Sequence, residues 1–179
     1  HDHPELLPDE DTEREMYYET KSMLHKQGFE RYEISNYAKP GYECRHNIGY
    51  WTGTEYLGLG LGASSYIQGF RFHNESDLSL YDKIQMTGTD ADEKLHQEIT
   101  KLSDKEKMEE FMFLGLRMIK GVSGSEFFQR FGQNMWNVYG NVLNKLKDEG
   151  LIIVDMPDVR LSDYGIDVSN YVLSEFLLD

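Results

Sequence analysis

The chain has 179 residues and a single cysteine, Cys44. One thiol excludes an internal disulfide and any metal centre that needs several thiolates. Cations are also short. Lysines and arginines number 18 against 32 aspartates and glutamates, for a formal net charge of −14. The deficit runs through the whole chain, with 10 bases against 20 acids in residues 1–104 and 8 against 12 in residues 105–179. Recognition of a phosphate backbone rests on lysine and arginine, so nucleic acid is disfavoured as a partner. No apolar run approaches the ~20 residues of a membrane-spanning helix. No secretory pattern opens the chain, and these absences predict a cytoplasmic, reducing setting. Methionine is missing from the first position, which is His1, so the chain is expected to be a piece of a longer protein. Hydrophobic residues (39%) and aromatics (13%) suffice for a packed core.

The periodicity predicts a helix from Asp9 to Gln27, with acids crowding its first turn and Thr12 with Glu15 as a capping box. Met16, Tyr17, Thr20, Met23 and Leu24 share one face. Gly28 closes the helix, and Glu30 to Asn36 reads as a strand, giving the helix–Gly–strand rhythm of an α/β fold. The next 30 residues read as loop. Ile67 to His73 suggests a short strand, Leu78 to Met86 a short helix, and Thr87 to Glu93 a polar linker.

A second unit is expected from Ser103, which pairs with Glu106 as a capping box. Helical spacing follows as far as Gly121, then over Ser123–Phe131 and Trp136–Glu149. Leu151–Val154 and Val159–Leu161 read as a hairpin about Met156-Pro157, and Ser162 caps a final helix running to about Leu177. Three helices, a hairpin and a helix make the order of a winged-helix unit. A DNA-binding reading of it meets an electrostatic deficit: the third helix offers Lys145 and Lys147 beside Asp148 and Glu149.

Chemistry concentrates in His46-Asn47-Ile48-Gly49-Tyr50-Trp51. A neutral imidazole can ligate iron, and flat rings can stack on a macrocycle. The same residues equally suit a hydrogen-bonded loop histidine with aromatic packing. Gly58, Gly60 and Gly62 alternate, which lets backbone approach either a ligand or another strand. Cys44 with His46 gives two potential ligands, too few for a site, and an inert thiol is expected. The other histidines lack partners at ligand spacing.

Glu33-Ile34-Ser35-Asn36-Tyr37-Ala38, Gly41, the His46–Trp51 segment and Gly58-Leu59-Gly60-Leu61-Gly62-Ala63-Ser64-Ser65 resemble the C-terminal half of oxygen-independent coproporphyrinogen III oxidase-like proteins. These belong to the radical S-adenosylmethionine class. Arg71 with Asn74, Gly121-Val122-Ser123, Gly150-Leu151-Ile152 and Arg160-Leu161-Ser162 continue the resemblance in order. The His-Asn-x-x-Tyr-Trp signature resembles the haem-chaperone branch, often called HemW, more than the decarboxylating oxidase. The resemblance implies that residues 1–102 are the last βα portion of an incomplete radical-SAM barrel with connecting segments, and residues 103–179 a winged-helix-like C-terminal domain. It implies His46, Asn47, Tyr50 and Trp51 as haem-associated residues, His46 as a haem-iron ligand, and Gly58, Gly60 and Gly62 as backbone of a cofactor cleft. The partners it implies are haem or porphyrin, a haem-acceptor protein and an N-terminal part of the same protein. A 4Fe-4S cluster and S-adenosylmethionine are implied only for the full-length protein, since the family's Cys-x3-Cys-x2-Cys has no counterpart here. The rival readings are the oxidase itself and a DNA-binding winged-helix module.

Overall fold

The computed structural model describes residues 7–84 and 94–178. Helix α1 spans Glu10–Lys26. Its N-cap is Asp9, whose carboxylate accepts the Thr12 N–H at 2.8 Å; this cap, rather than the expected Thr12–Glu15 box, starts the helix. Gly28 (φ +78°) reverses the chain. The expected strand 30–36 is a small hairpin instead: β1 (Glu30–Arg31) pairs antiparallel with β2 (Tyr37–Ala38). Residues 32–36 leave the ladder because Glu33, fully buried, draws the Ser35 N–H (2.9 Å) and the Asn36 amide (2.5 Å) onto its own Oε1.

Helix α2 (Arg45–Trp51) follows, then a three-stranded antiparallel sheet in the order β3 (Ser64–Ile67), β4 (Phe70–Asn74), β5 (His96–Lys101). The single strand expected over 67–73 is thus the turn and second arm of a hairpin, bent at Gln68 and Gly69, both at positive φ. Helix α3 covers Leu78–Tyr81; the end of the helix expected to Met86 and the linker expected at Thr87–Glu93 lie outside the described residues. Strand β5 occupies residues where two units were expected to meet. It forms because β4 offers an open edge, not because its polar sequence has strand periodicity.

Helices α4 (Asp104–Gly115), α5 (Gly124–Phe131) and α6 (Met135–Asp148) are followed by the hairpin of β6 (Ile152–Asp155) and β7 (Asp158–Leu161). The expected last helix is two short ones, α7 (Asp163–Asp167) and α8 (Ser169–Ser174), broken at Val168. Both halves of the Ser103–Glu106 capping box form at the start of α4. That helix stops at Gly115, short of the expected Gly121, because the following residues pair with the first hairpin: the Ile34 N–H donates to the Arg117 carbonyl (3.0 Å) and the Ile119 N–H to the Tyr32 carbonyl (3.1 Å).

The principal core gathers these helices under the β6–β7 hairpin. Met112, Phe127, Leu143, Leu146, Val172 and Phe176 have no exposed surface. Phe111, Phe127, Tyr139 and Phe176 stack edge to face, with centroids 5.4, 6.1 and 5.5 Å apart. Each such side chain contributes about 1.5–3 kcal/mol by burial, so most of the described apolar burial lies in this helical unit. Within residues 7–84 and 94–102 the buried hydrophobics are few: Ala38, Leu95 and Leu102.

Candidate functional site

The His46 segment is helical, correcting the expectation of a loop. Cys44 is the N-cap, Thr52 the C-cap, and the Thr52 hydroxyl donates back to the Ile48 carbonyl at 2.9 Å. Helical spacing splits the four aromatic and polar residues into two rows. His46 and Tyr50, one turn apart, share a face; Asn47 and Trp51 share the next. His46 is exposed, and its ring meets the Tyr50 ring edge on at 4.6 Å. Tyr50 in turn meets Tyr56 edge on at 4.6 Å, and Tyr56 is hydrogen-bonded through its backbone to Tyr66 of β3. Among the described residues, no hydrogen bond or ion pair engages the His46 imidazole.

Trp51 faces inward. The Arg117 guanidinium lies 4.3 Å over its ring, and its indole Nε1 is buried without an acceptor. Arg117 also approaches the buried Glu33, Nη2 to Oε2 3.8 Å. A chain of contacts from Glu33 through Arg117 to Trp51 therefore seats α2 on the helical unit. Sequence reasoning missed Glu33 and Arg117 as members of this arrangement. The signal for Glu33 was its place inside a polar motif that otherwise reads as a strand. Arg117 carried no signal of its own. Beyond Trp51 opens a cavity of about 240 Å³, walled by Tyr66, Phe111, Leu114, Met118 and Phe131 among others. His46, Asn47 and Tyr50 do not line it. Glu110 lines it, and Arg71 grips both oxygens of that carboxylate (2.9 and 2.8 Å), a bond that chiefly holds the guanidinium above its ordinary pKa.

The alternate glycines are held by the protein's own groups. A Cβ on Gly58 would lie 2.3 Å from the Ser64 carbonyl oxygen, so the close approach is to backbone. The buried Asn74 side chain donates to the carbonyls of Gly58 (3.2 Å) and Gly60 (2.8 Å), and the Gly62 N–H donates to the Glu75 carbonyl (2.9 Å).

The other described histidines are engaged: His25 with Glu30 (2.9 Å), His73 with the Asn74 carbonyl (2.8 Å), and His96 packed on Phe72 (4.4 Å). His1 and His3 lie outside the described residues. Cys44 is exposed. Among the described residues no three His, Cys, Asp or Glu side chains converge as a metal site. The donor set fits one axial bond to a haem iron from His46, with ring surface beside it. It does not fit a four-iron cluster, for which the chain supplies one thiol.

Residues 102–168 match the family described as HemN C-terminal domain. The chain is 37% identical over 173 residues to the heme chaperone HemW of Lactococcus lactis, an alignment covering 97% of this chain and 44% of that protein. The heme chaperone HemW of Bacillus subtilis is 36% identical over 172 residues, covering 96% and 44%. Among solved structures, the coproporphyrinogen III oxidase HemN from Escherichia coli, a radical SAM enzyme, superposes on 96% of this chain and 42% of its own with a TM-score of 0.74. Its identity is 16%, so that likeness shows the fold alone. The chain spans less than half the length of the curated relatives it matches.

Proposed function

The chain belongs to the HemW-type branch of the radical S-adenosylmethionine proteins, matching their C-terminal part, and on that footing we propose that it is the haem-holding portion of a haem chaperone. The observation that carries the reading is the free, exposed imidazole of His46, edge on to Tyr50. Haem, the cargo, takes the neutral imidazole as an axial ligand. Tyr50 supplies ring surface beside it, Asn47 a hydrogen-bonding amide one helical row away, and Trp51 the anchor that keeps α2 on the helical unit. Gly58 acts at one remove, by letting its loop pack closely on β3, and Gly60 and Gly62 by taking the positive φ that the loop requires.

In the longer protein, residues 1–102 complete the barrel-derived part and residues 103–179 form the winged-helix-like domain. The cluster and S-adenosylmethionine belong to residues beyond this chain, and the cargo passes to an acceptor protein in the cytoplasm. No helix of the described residues is long and apolar enough to cross a membrane. Nucleic acid is not a partner: α6 exposes Asn137, Asn141 and Asn144, and Lys145 is tied to Glu175 at 2.7 Å.

The test is a haemin titration followed by visible absorbance. Wild type is expected to bind one haem with a shifted Soret band, and His46→Ala to bind at least about tenfold more weakly, a loss of ~1.4 kcal/mol or more. Acid should weaken binding, because proton and iron compete for one lone pair. His25→Ala, on an exposed histidine of α1 engaged by Glu30, is the control. A folded His46→Ala chain with unchanged band and affinity would reject the assignment.

A further inference from the structure

A second cavity, of about 260 Å³, lies between α1, the first hairpin and the β6–β7 hairpin. Its lining reverses the charge of this acidic chain. Lys21, Arg31 and Arg160 border it with His25, against Glu30 and Asp163. The acids are paired within the lining itself, Asp163 with Lys21 (2.9 Å) and Glu30 with His25 (2.9 Å), which leaves Arg31 and Arg160 as the cations without a close acid. The nearest carboxylate oxygen to Arg160 belongs to Asp155, at 3.8 Å, beyond hydrogen-bonding range. Arg31 has no acid at all among the described residues. Its Nε and Nη2 are buried without an acceptor, and so is the Tyr37 hydroxyl. Nε and Nη2 form the edge of a guanidinium that grips an oxyanion with two parallel bonds. The same edge of Arg71 holds both oxygens of Glu110 in this molecule. Phe29, Ile119 and Ile153 supply an apolar wall.

We propose that this cavity is a binding site for a small organic oxyanion, a carboxylate or phosphate joined to an apolar body, held by the Arg31 fork and the Tyr37 hydroxyl. The Tyr17 and Tyr37 rings lie over the guanidinium at 4.6 and 5.5 Å and leave its Nε and Nη2 without an acceptor. Arg160 adds long-range attraction, and the apolar body rests on Phe29 and the two isoleucines. The site is separate from α2 and does not depend on haem binding.

The experiment is an NMR titration of isoleucine methyl groups with benzoate, phenyl phosphate and neutral benzamide, which share one ring and differ in head group. Saturable shifts at Ile119 and Ile153 are expected with at least one of the two anions and not with benzamide. The tighter of the anions identifies the head group. Arg31→Met should weaken binding at least about tenfold, as loss of a charge-assisted pair does. Tyr37→Phe should weaken it by a smaller factor, and Lys147→Gln, at a residue that does not line the cavity, should leave it unchanged. No saturable shift with either anion, or equal shifts with benzamide, overturns the proposal. So does a folded Arg31→Met chain of undiminished affinity. Should Arg31→Met not fold, Tyr37→Phe decides, and unchanged affinity there overturns it.

Discussion

Replacing Arg117 by Met keeps most of the side-chain stem and removes the charge that faces Glu33. Glu33 has no exposed surface, and its Oε2 accepts no hydrogen bond; Arg117 Nη2, 3.8 Å away, is its countercharge. Unit charges at that separation attract by about 4 kcal/mol at an effective dielectric of ~20. Arg117 is a quarter exposed, at 25%, so water screens part of this in the native chain and replaces part of it in the variant. The lost stack on Trp51 adds about 0.5–1 kcal/mol. We expect a net loss of about 2–3 kcal/mol, below the 3–5 kcal/mol typical of a fully buried pair. Urea unfolding followed by circular dichroism measures it. In a Glu33→Gln background, where Oε1 still accepts from Ser35 and Asn36, the same substitution should cost less than about 1 kcal/mol, a coupling well outside ordinary additivity. A loss under about 0.5 kcal/mol, or additivity of the two changes, would refute the reasoning that this pair seats α2.

Two further outcomes follow from the core and the glycine loop. The Tyr139 hydroxyl is buried without a partner, so Tyr139→Phe should leave stability unchanged or raise it by up to about 1 kcal/mol at neutral pH. Burial, with Glu109 adding to it, pushes this phenol well above its ordinary value. The unfolded chain therefore releases its proton first, near pH ~10, and native stability falls as pH rises from there; the fall should be shallower in Tyr139→Phe. Gly58→Ala, which drives a Cβ into the Ser64 carbonyl, should destabilise the chain by about 1–3 kcal/mol in the same urea assay; a neutral result would show that this close approach is absent.

Where local signals agreed with tertiary demand, the sequence was readable. Ser103 and Glu106 announce α4, the heptad-like spacing from Met135 to Leu146 announces α6, and Gly150 ahead of an apolar run announces the second hairpin. Misreadings fell where a distant residue decides. Glu33 breaks an apparent strand because its buried carboxylate collects Ser35, Asn36 and Arg117, none of which local pattern could rank. Helix α2 contains Gly49 and Asn47, poor helix formers, and is fixed from outside by Trp51 under Arg117. Strand β5 is polar and forms on the edge of β4. The residues of the candidate site were legible as a chemical group, but their division into a His46–Tyr50 row, with His46 exposed, and an Asn47–Trp51 row follows only from the helix.

Haem is expected to dock on the His46–Tyr50 row of α2. Ferric haem is paramagnetic and broadens nearby nuclei, so amide NMR spectra recorded with and without one equivalent of haemin locate it directly. Signals of residues 45–56 should vanish first, while those of α6, which packs on α5 and β6, persist. Broadening centred on another element, or spread evenly over the chain, would contradict it.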